Sequence, residues 1–306
     1  MPKFSIYRIF TFLFFFVIAS PQAQNKKTTP KGNMRGSITK ERVWWDVLKN
    51  DIKISVYPST KSILGKNTIT YKVLNRDTLL QFELQSPLQI LEIIQDDTKL
   101  TYTKHGDSYI VHLKKRAEKE SEQQISILYT GSPREAKKAP WDGGILWKLD
   151  NDNIPFIATA NQEIGASVWW PCKDHPYDEA DTTKISITVP KKLTAVSNGK
   201  KIGFKQNENN TNTHTWLVTN PINNYGVSLN IANYSFFKNT YNGLNGELVC
   251  NYYVLPQNYT IAKKHFSQVH KTLEAFEYWF GPYPFYEDTY KLEWNIRVAL
   301  PTEINI

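Results

Sequence analysis

The sequence predicts a mainly β protein, and three observations support that prediction. Apolar and polar residues alternate over many short segments, as in Ile52, Ile54 and Val56, which is typical of strands with one buried face. Helical periodicity is nearly absent before about Tyr241. Hydrophobic residues make up 41% of the 306 residues and aromatic residues 13%, enough for a sizeable core. We therefore expect a large N-terminal β-sheet or β-sandwich domain.

Residues 1–23 have the features of a secretory signal peptide. Lys3 and Arg8 give a positively charged N-terminal region, an apolar run follows over residues 9–19, and Ala23 is a small residue at the expected cleavage point. The run is shorter than the about 20 residues that a membrane span needs. We expect secretion or periplasmic delivery, without a stable membrane span after cleavage. Retention as an N-terminal anchor is the alternative.

Composition places further limits on the chain. Residues 24–40 are polar and are expected to form a disordered linker. The net charge is +8, but lysines and arginines are spread along the chain and no nucleic-acid motif is present, so no nucleic-acid partner is expected. Cys172 and Cys250 lack metal-ligand spacing, and the sequence leaves open whether they pair or stay as buried free thiols.

Residues 41–244 contain one predicted strand after another. The alternating segments include residues 52–56, 69–73, 125–129, 185–189 and 227–234. Pro190 ends the fourth of these segments, because proline has no N–H for the strand ladder. Asn198-Gly199 predicts a hairpin turn between strands at residues 193–197 and 201–205.

The pattern changes after about residue 245. Residues 247–255 predict a strand, and an amphipathic helix follows. Its apolar stripe recurs at helical spacing and is made of Ala262, Phe266, Val269, Leu273, Phe276 and Phe280. Gly281-Pro282 ends the helix. A long helix after an all-β region indicates a second domain over residues 245–292.

One stretch, residues 158–190, carries a specific signature. Gln162 precedes Pro171-Cys172 by nine residues, Asp174-His175-Pro176 follows, and a strand then ends at Val189-Pro190. This order resembles the aminopeptidase N family of zinc metallopeptidases, which includes leukotriene hydrolase. The motif Ile-Gly-Ala-Ser-x-Trp-Trp-Pro is similar to the corresponding motif in the bacterial secreted branch of this family.

The resemblance implies a fold and one functional residue. It implies a saddle-like N-terminal β domain followed by the first strand and helix of a truncated thermolysin-like α+β domain, whose early motif is similar to residues 280–285. It also implies that Gln162 binds the substrate, accepting a hydrogen bond from the free α-amine of a peptide. A buried structural amide is the alternative for Gln162. Glu163, in an extended segment, would point the other way, and the corner at Asp174-His175-Pro176 is interpreted as structural.

Zinc is the cofactor of the full-length family, whose H-E-x-x-H signature places two zinc ligands and a general base on one helix. No histidine of this sequence is followed by glutamate, and no two histidines are four residues apart. The six are His105, His112, His175, His214, His265 and His270. We therefore assign no catalytic residue and no metal ligand, and expect the chain by itself to be inactive and to bind no zinc.

The function expected from the sequence is that of an N-terminal fragment of a secreted zinc metallo-aminopeptidase, which removes N-terminal amino acids from peptides. Residues 293–306 depart from the family pattern and are interpreted as an out-of-frame tail. The alternative is a non-catalytic secreted β-sandwich domain that binds peptide or glycan through exposed aromatic residues such as Trp141 or Trp147.

Overall fold

The computed structural model describes residues 36–139 and 142–293. Strands account for 49% of these residues and helices for 15%, which confirms the mainly β prediction. The expected signal peptide, most of the expected linker, Trp141 and the tail after Glu293 lie outside the described residues. None of the helices within the described ranges has the length and apolar character needed to cross a membrane.

The strands and helices of the described part follow one another closely along the chain. The strands are β1 Trp45–Tyr57, β2 Ser62–Val73, β3 Leu79–Glu83, β4 Gln89–Gln95, β5 Thr98–Lys99, β6 Thr101–His105, β7 Ser108–His112, β8 Glu122–Gly131, β9 Gly144–Leu149, β10 Pro155–Ala160, β11 Thr182–Pro190, β12 Thr194–Val196, β13 Lys200–Gln206, β14 Thr211–Val218, β15 Asn230–Ala232, β16 Ser235–Gly243, β17 Gly246–Val254 and β18 Tyr290–Glu293. The α-helices are α1 Lys40–Val43, α2 Tyr259–His265 and α3 Val269–Phe280.

The largest sheet has eight strands in the order β13-β14-β11-β1-β2-β8-β4-β5. Strand β1 lies near its middle, antiparallel to β2 and parallel to β11. Ile52 pairs with Ile185 and Ile54 with Ile187, and all four side chains are buried. Because side chains alternate between faces every second residue, this register puts the apolar rows of both strands on the core side.

Two smaller sheets cover the same core. Their orders are β12-β15-β10-β9 and β3-β7-β6. Buried residues of all three sheets form one continuous hydrophobic cluster. The cluster includes Trp44, Trp45, Trp147, Trp169, Trp170 and Trp216. The region through β15 is therefore one packed β domain whose core contains many large aromatic side chains.

The Asn198-Gly199 pair forms a turn, but the hairpin prediction is wrong. Strand β12 belongs to a small sheet and β13 to the large one, so the turn carries the chain from one sheet to the other. Gly199 has φ +74°, and a Cβ there would lie 2.1 Å from the carbonyl oxygen of Leu217. The strand expected at residues 227–234 is shorter than predicted and covers only Asn230–Ala232.

The last residues of the expected linker, from Gly36 to Lys40, contact the β domain. The Thr39 hydroxyl donates a 2.6 Å hydrogen bond to the side-chain oxygen of Gln81 on β3. Arg42 of α1 donates to the carbonyl of Ser37 at 2.8 Å. These contacts hold the chain against β3 before β1 begins.

The strands from Ser235 onward belong to a second unit with its own hydrophobic core. Strands β16 and β17 form a hairpin, and β18 pairs with β17 in parallel. Tyr241 on β16 and Leu248 on β17 lie in the same separate core, so the predicted boundary at 244/245 falls inside the hairpin turn. Helices α2 and α3, with a 3-10 turn at Phe266–Gln268 between them, cover one face of this sheet.

Four of the six residues of the predicted helical stripe are buried and two are exposed. Ala262, Phe266, Val269 and Leu273 lie in the second core. Phe276 and Phe280 are 49% and 82% exposed. Tyr278 and Trp279 beside them are also largely exposed, so the end of α3 presents an aromatic surface.

The carboxylate of Glu277 holds the second unit together. One oxygen accepts hydrogen bonds from the Tyr241 hydroxyl (3.0 Å) and the Leu244 N–H (2.9 Å). The other accepts from the Tyr283 N–H (3.0 Å) and the Tyr286 hydroxyl (2.8 Å). Burial opposes the charged form, but these hydrogen bonds outweigh it and lower the pKa of Glu277.

We expect Glu277→Gln to destabilise the second unit at neutral pH. The amide places an NH2 group against one pair of donors, and a backbone N–H cannot rotate to become an acceptor. Since the pKa of Glu277 is lowered in the folded state, its stabilising effect is present above the ordinary glutamate pKa and lost as pH falls through the folded value.

Thermal melting of both proteins between pH 7 and pH 3 tests this. The melting temperatures should differ at pH 7 and converge as the pH falls below the ordinary glutamate range. Glu274→Gln, an exposed change on the same helix, is the matched control and should leave the curve unchanged. A Glu277→Gln protein as stable as the parent at pH 7 would contradict the assignment.

Candidate functional site

The predicted site residue, Gln162, lies on a short turn after β10. The Gly165 N–H donates to the Asn161 carbonyl at 2.8 Å, which closes the turn. The Asn161 side-chain amide donates to the carbonyls of Tyr225 (3.0 Å) and Val227 (2.7 Å). Gln162 and Glu163 occupy the exposed tip. The start of the turn is thus fixed to the chain that enters β15.

The far end of the turn is fixed as well. The Gln85 amide donates to the carbonyl of Ile164 (2.7 Å) and to the hydroxyl of Ser167 (3.0 Å). Gly143 lies against Ile164, and a Cβ at Gly143 would be 2.3 Å from the Ile164 Cγ2 atom. The tip that carries Gln162 therefore projects from a base held by hydrogen bonds at both ends and by close packing.

The conformation of the tip differs from two sequence expectations. The segment is a turn and not extended, since Glu163 has φ +63° and the Ile164 N–H donates to the Gln162 carbonyl at 2.7 Å. The interpretation of Gln162 as a buried structural amide is wrong, because the side chain is exposed. An exposed amide oxygen at this tip can accept a hydrogen bond from a cationic group.

The corner that follows is built around Asp174. Its carboxylate accepts from the N–H groups of Ala166 and Ser167, each at 3.3 Å, and from the Ser167 hydroxyl at 2.5 Å. These bonds satisfy the first N–H groups of the 3-10 turn Ala166–Val168. The carbonyl of Pro171 accepts from Asn67 on β2 at 3.0 Å. The sequence interpretation of this corner as structural agrees with these contacts.

A buried ion pair lies beneath the corner, and the sequence analysis missed it. Glu83, at the end of β3, pairs with Arg42 of α1, and both side chains are fully buried. Glu83 also accepts from the Gln81 amide (2.7 Å) and the Asp174 N–H (3.1 Å). Its backbone exchanges two hydrogen bonds with Cys172 (2.8 and 3.1 Å). Burial raises the pKa of Glu83, and the Arg42 charge opposes that shift.

A second buried pair lies on the other side of Cys172. The Lys173 ammonium donates to the Asp178 carboxylate and to the Trp45 carbonyl, and lies 4.3 Å from the Trp45 ring centroid. Burial lowers the pKa of Lys173, and the Asp178 charge opposes the shift. The Lys173 carbonyl accepts from Asn224 at 2.9 Å. The corner is thus fixed to β1 and to the segment before β15, which also holds the Gln162 turn.

The described residues do not fit a zinc ion. No group of three or more His, Cys, Asp or Glu side chains within residues 36–139 and 142–293 is arranged to hold a metal. The histidines are dispersed: His105 and His112 lie on exposed strand positions, and His214 is buried on β14. That the chain alone binds no zinc stays a prediction.

The two cysteines are both free and buried. Cys172 belongs to the large core and Cys250 to the second core. Burial raises the pKa of the Cys250 thiol to about 11, which keeps it protonated and unreactive at neutral pH. The question that the sequence left open is therefore answered in favour of two separate thiols.

A large β domain on one core, followed by a small α+β unit, is the arrangement that the resemblance to the aminopeptidase N family implies. Residues 47–226 match the Peptidase M1 N-terminal domain, which is more than half of the chain. The chain belongs to the M1 peptidase family, and the resemblance to the aminopeptidase N family is confirmed. A search of curated proteins finds no match.

Solved structures with a similar fold include M1 zinc metallopeptidases. The M1 zinc metallopeptidase from Deinococcus radiodurans has a TM-score of 0.70 and 18% identity over 82% of this chain. An E323A mutant of the Deinococcus radiodurans enzyme bound to Tyr-Ser-Ala has a TM-score of 0.67 and 17% identity. The match covers 82% of this chain and 56% of the mutant enzyme. Native yeast LTA4 hydrolase has a TM-score of 0.65 and 20% identity, and the match covers 82% of this chain and 37% of the hydrolase. This chain spans 57% of the length of the first of these structures.

We expect Glu83→Gln to destabilise the β domain by about 3–5 kcal/mol, because Arg42 would be left buried without its counter-charge. Glu118→Gln removes one partner of the exposed Arg76–Glu118 pair and is the matched control, which should change stability little. Urea unfolding of the two variants and the parent measures both effects. Equal losses in the two variants would contradict the role given to Glu83.

Proposed function

We propose that this domain supplies the substrate-amine side of the active site in a zinc aminopeptidase, with Gln162 accepting a hydrogen bond from the free N-terminus of a peptide. The observation that carries the proposal is the exposed position of Gln162 at the tip of a turn fixed at both ends. A binding group on a rigid base loses little conformational entropy when its ligand arrives.

The charge at the tip supports the same proposal. A neutral amide oxygen accepts from an ammonium group more weakly than a carboxylate does. Glu163 is the next residue and is also exposed, so its negative charge lies near any ammonium that reaches Gln162. The carbonyl orients the substrate amine, and the neighbouring carboxylate favours the charged form of that amine.

We further propose that the protein is secreted or periplasmic, through the signal peptide expected at residues 1–23. The zinc ion and the general base would come from a catalytic domain carrying the H-E-x-x-H signature, which this sequence lacks. The contribution of this domain is then to select peptides with a free N-terminus, which the catalytic domain cleaves.

The alternative of a non-catalytic domain that binds through Trp141 or Trp147 has less support. Trp147 is 8% exposed and belongs to the large core, so it does not offer a ring surface to a ligand. Trp141 lies outside the described residues.

We predict that the chain by itself retains no zinc and does not hydrolyse aminoacyl substrates. The physical reason is that neither the sequence pattern nor the described residues provide three side chains placed to bind one zinc ion. Elemental analysis of purified protein after exposure to zinc and dialysis, with an aminoacyl-anilide assay alongside, measures both. Stoichiometric zinc or turnover would contradict the prediction.

In a form of the protein that carries its catalytic domain, Gln162→Ala should lower kcat/KM about 10- to 150-fold. That range corresponds to one charge-assisted hydrogen bond, worth about 1.5–3 kcal/mol. Gln162→Glu should be tolerated, because a carboxylate accepts from a cation at least as well. Steady-state kinetics on a peptide with a free α-amine is the measurement.

Two controls make the result specific. Gln206→Ala removes another exposed glutamine and should leave kcat/KM unchanged. An N-acetylated peptide has no ammonium group, so its already low rate should not depend on residue 162. Unchanged kcat/KM in Gln162→Ala would remove the functional role proposed for this residue.

A further inference from the structure

A cleft lies where the large sheet meets the hairpin of the second unit, and the proposed function does not use it. Its volume is about 790 Å³, within the size range of sites for small organic ligands. One wall is formed by β12, β13 and β14, and the other by the face of β16 and β17 that lies away from the helices. Glu287 and Thr289, in the segment before β18, also line the cleft.

The two walls are held in a defined relation. The Asp288 carboxylate accepts from the Thr219 N–H (2.8 Å), the Thr219 hydroxyl (2.9 Å) and the Asn220 N–H (3.0 Å). The Lys291 ammonium donates to the Gly199 carbonyl at 2.7 Å. The cleft is therefore bounded by two units that are hydrogen-bonded to each other.

Three buried side chains in this cleft have polar atoms without a hydrogen-bond partner among the described residues. They are His214, with both ring nitrogens, Asn212, with its amide oxygen, and Tyr234, with its hydroxyl. Their exposures are 3%, 7% and 9%. Buried polar atoms are rarely left unpaired, so a cleft lined by three of them favours a polar occupant.

His214 is neutral at physiological pH. Burial lowers its pKa to about 4, and the nearby Lys201 charge adds to that shift. The Leu193 backbone opposes the shift. A neutral imidazole offers one N–H donor and one acceptor nitrogen, and with Asn212 and Tyr234 it matches a ligand that has several hydroxyl groups.

Positive charge dominates the cleft. Four lysines line it against two glutamates, and these residues are Lys191, Lys200, Lys201, Lys238, Glu247 and Glu287. Burial lowers the pKa of Lys201, and no carboxylate among the described residues opposes that shift. Its ammonium lies 5.4 Å from the centroid of the Phe204 ring. An anionic group in the cleft would supply the counter-charge that Lys201 lacks there.

Two accessible aromatic rings line the cleft. Phe204 on β13 and Phe236 on β16 are 52% and 46% exposed and face the cleft from opposite walls. The Phe204 ring also packs against the His214 imidazole, with 5.1 Å between centroids. Flat apolar faces beside unpaired polar atoms suit a ligand whose rings have an apolar face and a hydroxylated edge.

We propose that this cleft binds an acidic saccharide, whose carboxylates pair with Lys201 and the neighbouring lysines while its rings pack on Phe204 and Phe236. The hydroxyl groups would bond to the unpaired atoms of His214, Asn212 and Tyr234. The site lies on residues other than the Gln162 turn, so its test does not depend on aminopeptidase activity.

The test is calorimetric titration of the full chain with a galacturonic acid trisaccharide. Saturable binding at one site is expected, and it should weaken as salt is raised, because the attraction between charges is screened. The fully methyl-esterified trisaccharide keeps the rings but has no charge and should bind at least tenfold more weakly. Maltotriose, a neutral sugar, and triglutamate, an acidic peptide, should also bind at least tenfold more weakly.

Two variants locate the site. Lys201→Gln and Phe204→Ala change exposed side chains, so both proteins should melt like the parent, and each should weaken binding at least tenfold. Lys66→Gln, an exposed lysine on β2 outside the cleft, is the matched control and should not change the affinity. The proposal is overturned by any of three results: no binding of the trisaccharide, equal binding of triglutamate, or unchanged affinity in Lys201→Gln.

Discussion

The buried carboxylate of Glu83 joins parts of the chain that are far apart in sequence. Arg42 reaches it from α1, Gln81 from the same strand, and the Asp174 N–H from the corner. A charge taken out of water costs several kcal/mol unless it is paired and hydrogen-bonded, so the carboxylate is stable there only with these partners in place. Gln85, two residues further on, then anchors the turn that carries Gln162. The position of the candidate site thus depends on this ion pair.

Two other carboxylates organise the second unit in a similar way. Glu277 binds the hairpin turn and the segment after α3, while Asp288 binds the end of β14 in the large domain. Both accept backbone N–H groups, which fixes the path of the chain and not only the position of a side chain. The same arrangement leaves the aromatic end of α3 exposed and leaves a cleft between the units.

Much of the fold was predictable because its signals are local. The alternation through Ile52, Ile54 and Val56 reports a half-buried strand whatever its neighbours are, and the stripe from Ala262 to Leu273 reports a helix. The partner of each strand was not predictable from such signals. Residues 194–196 and 200–206 are close in sequence and separated by an apparent hairpin turn, yet they belong to different sheets.

For the candidate site, the sequence by itself determined which residue to examine, through the spacing of Gln162 from Pro171 and the corner that follows. Only the tertiary structure decided that Gln162 is exposed, that Glu163 adopts a left-handed conformation and that Trp147 is buried. The Arg42–Glu83 ion pair and the cleft around His214 are likewise visible only in the tertiary structure. The physical reason is that burial and pairing depend on contacts between distant segments, whereas alternation and motif spacing are properties of neighbouring residues.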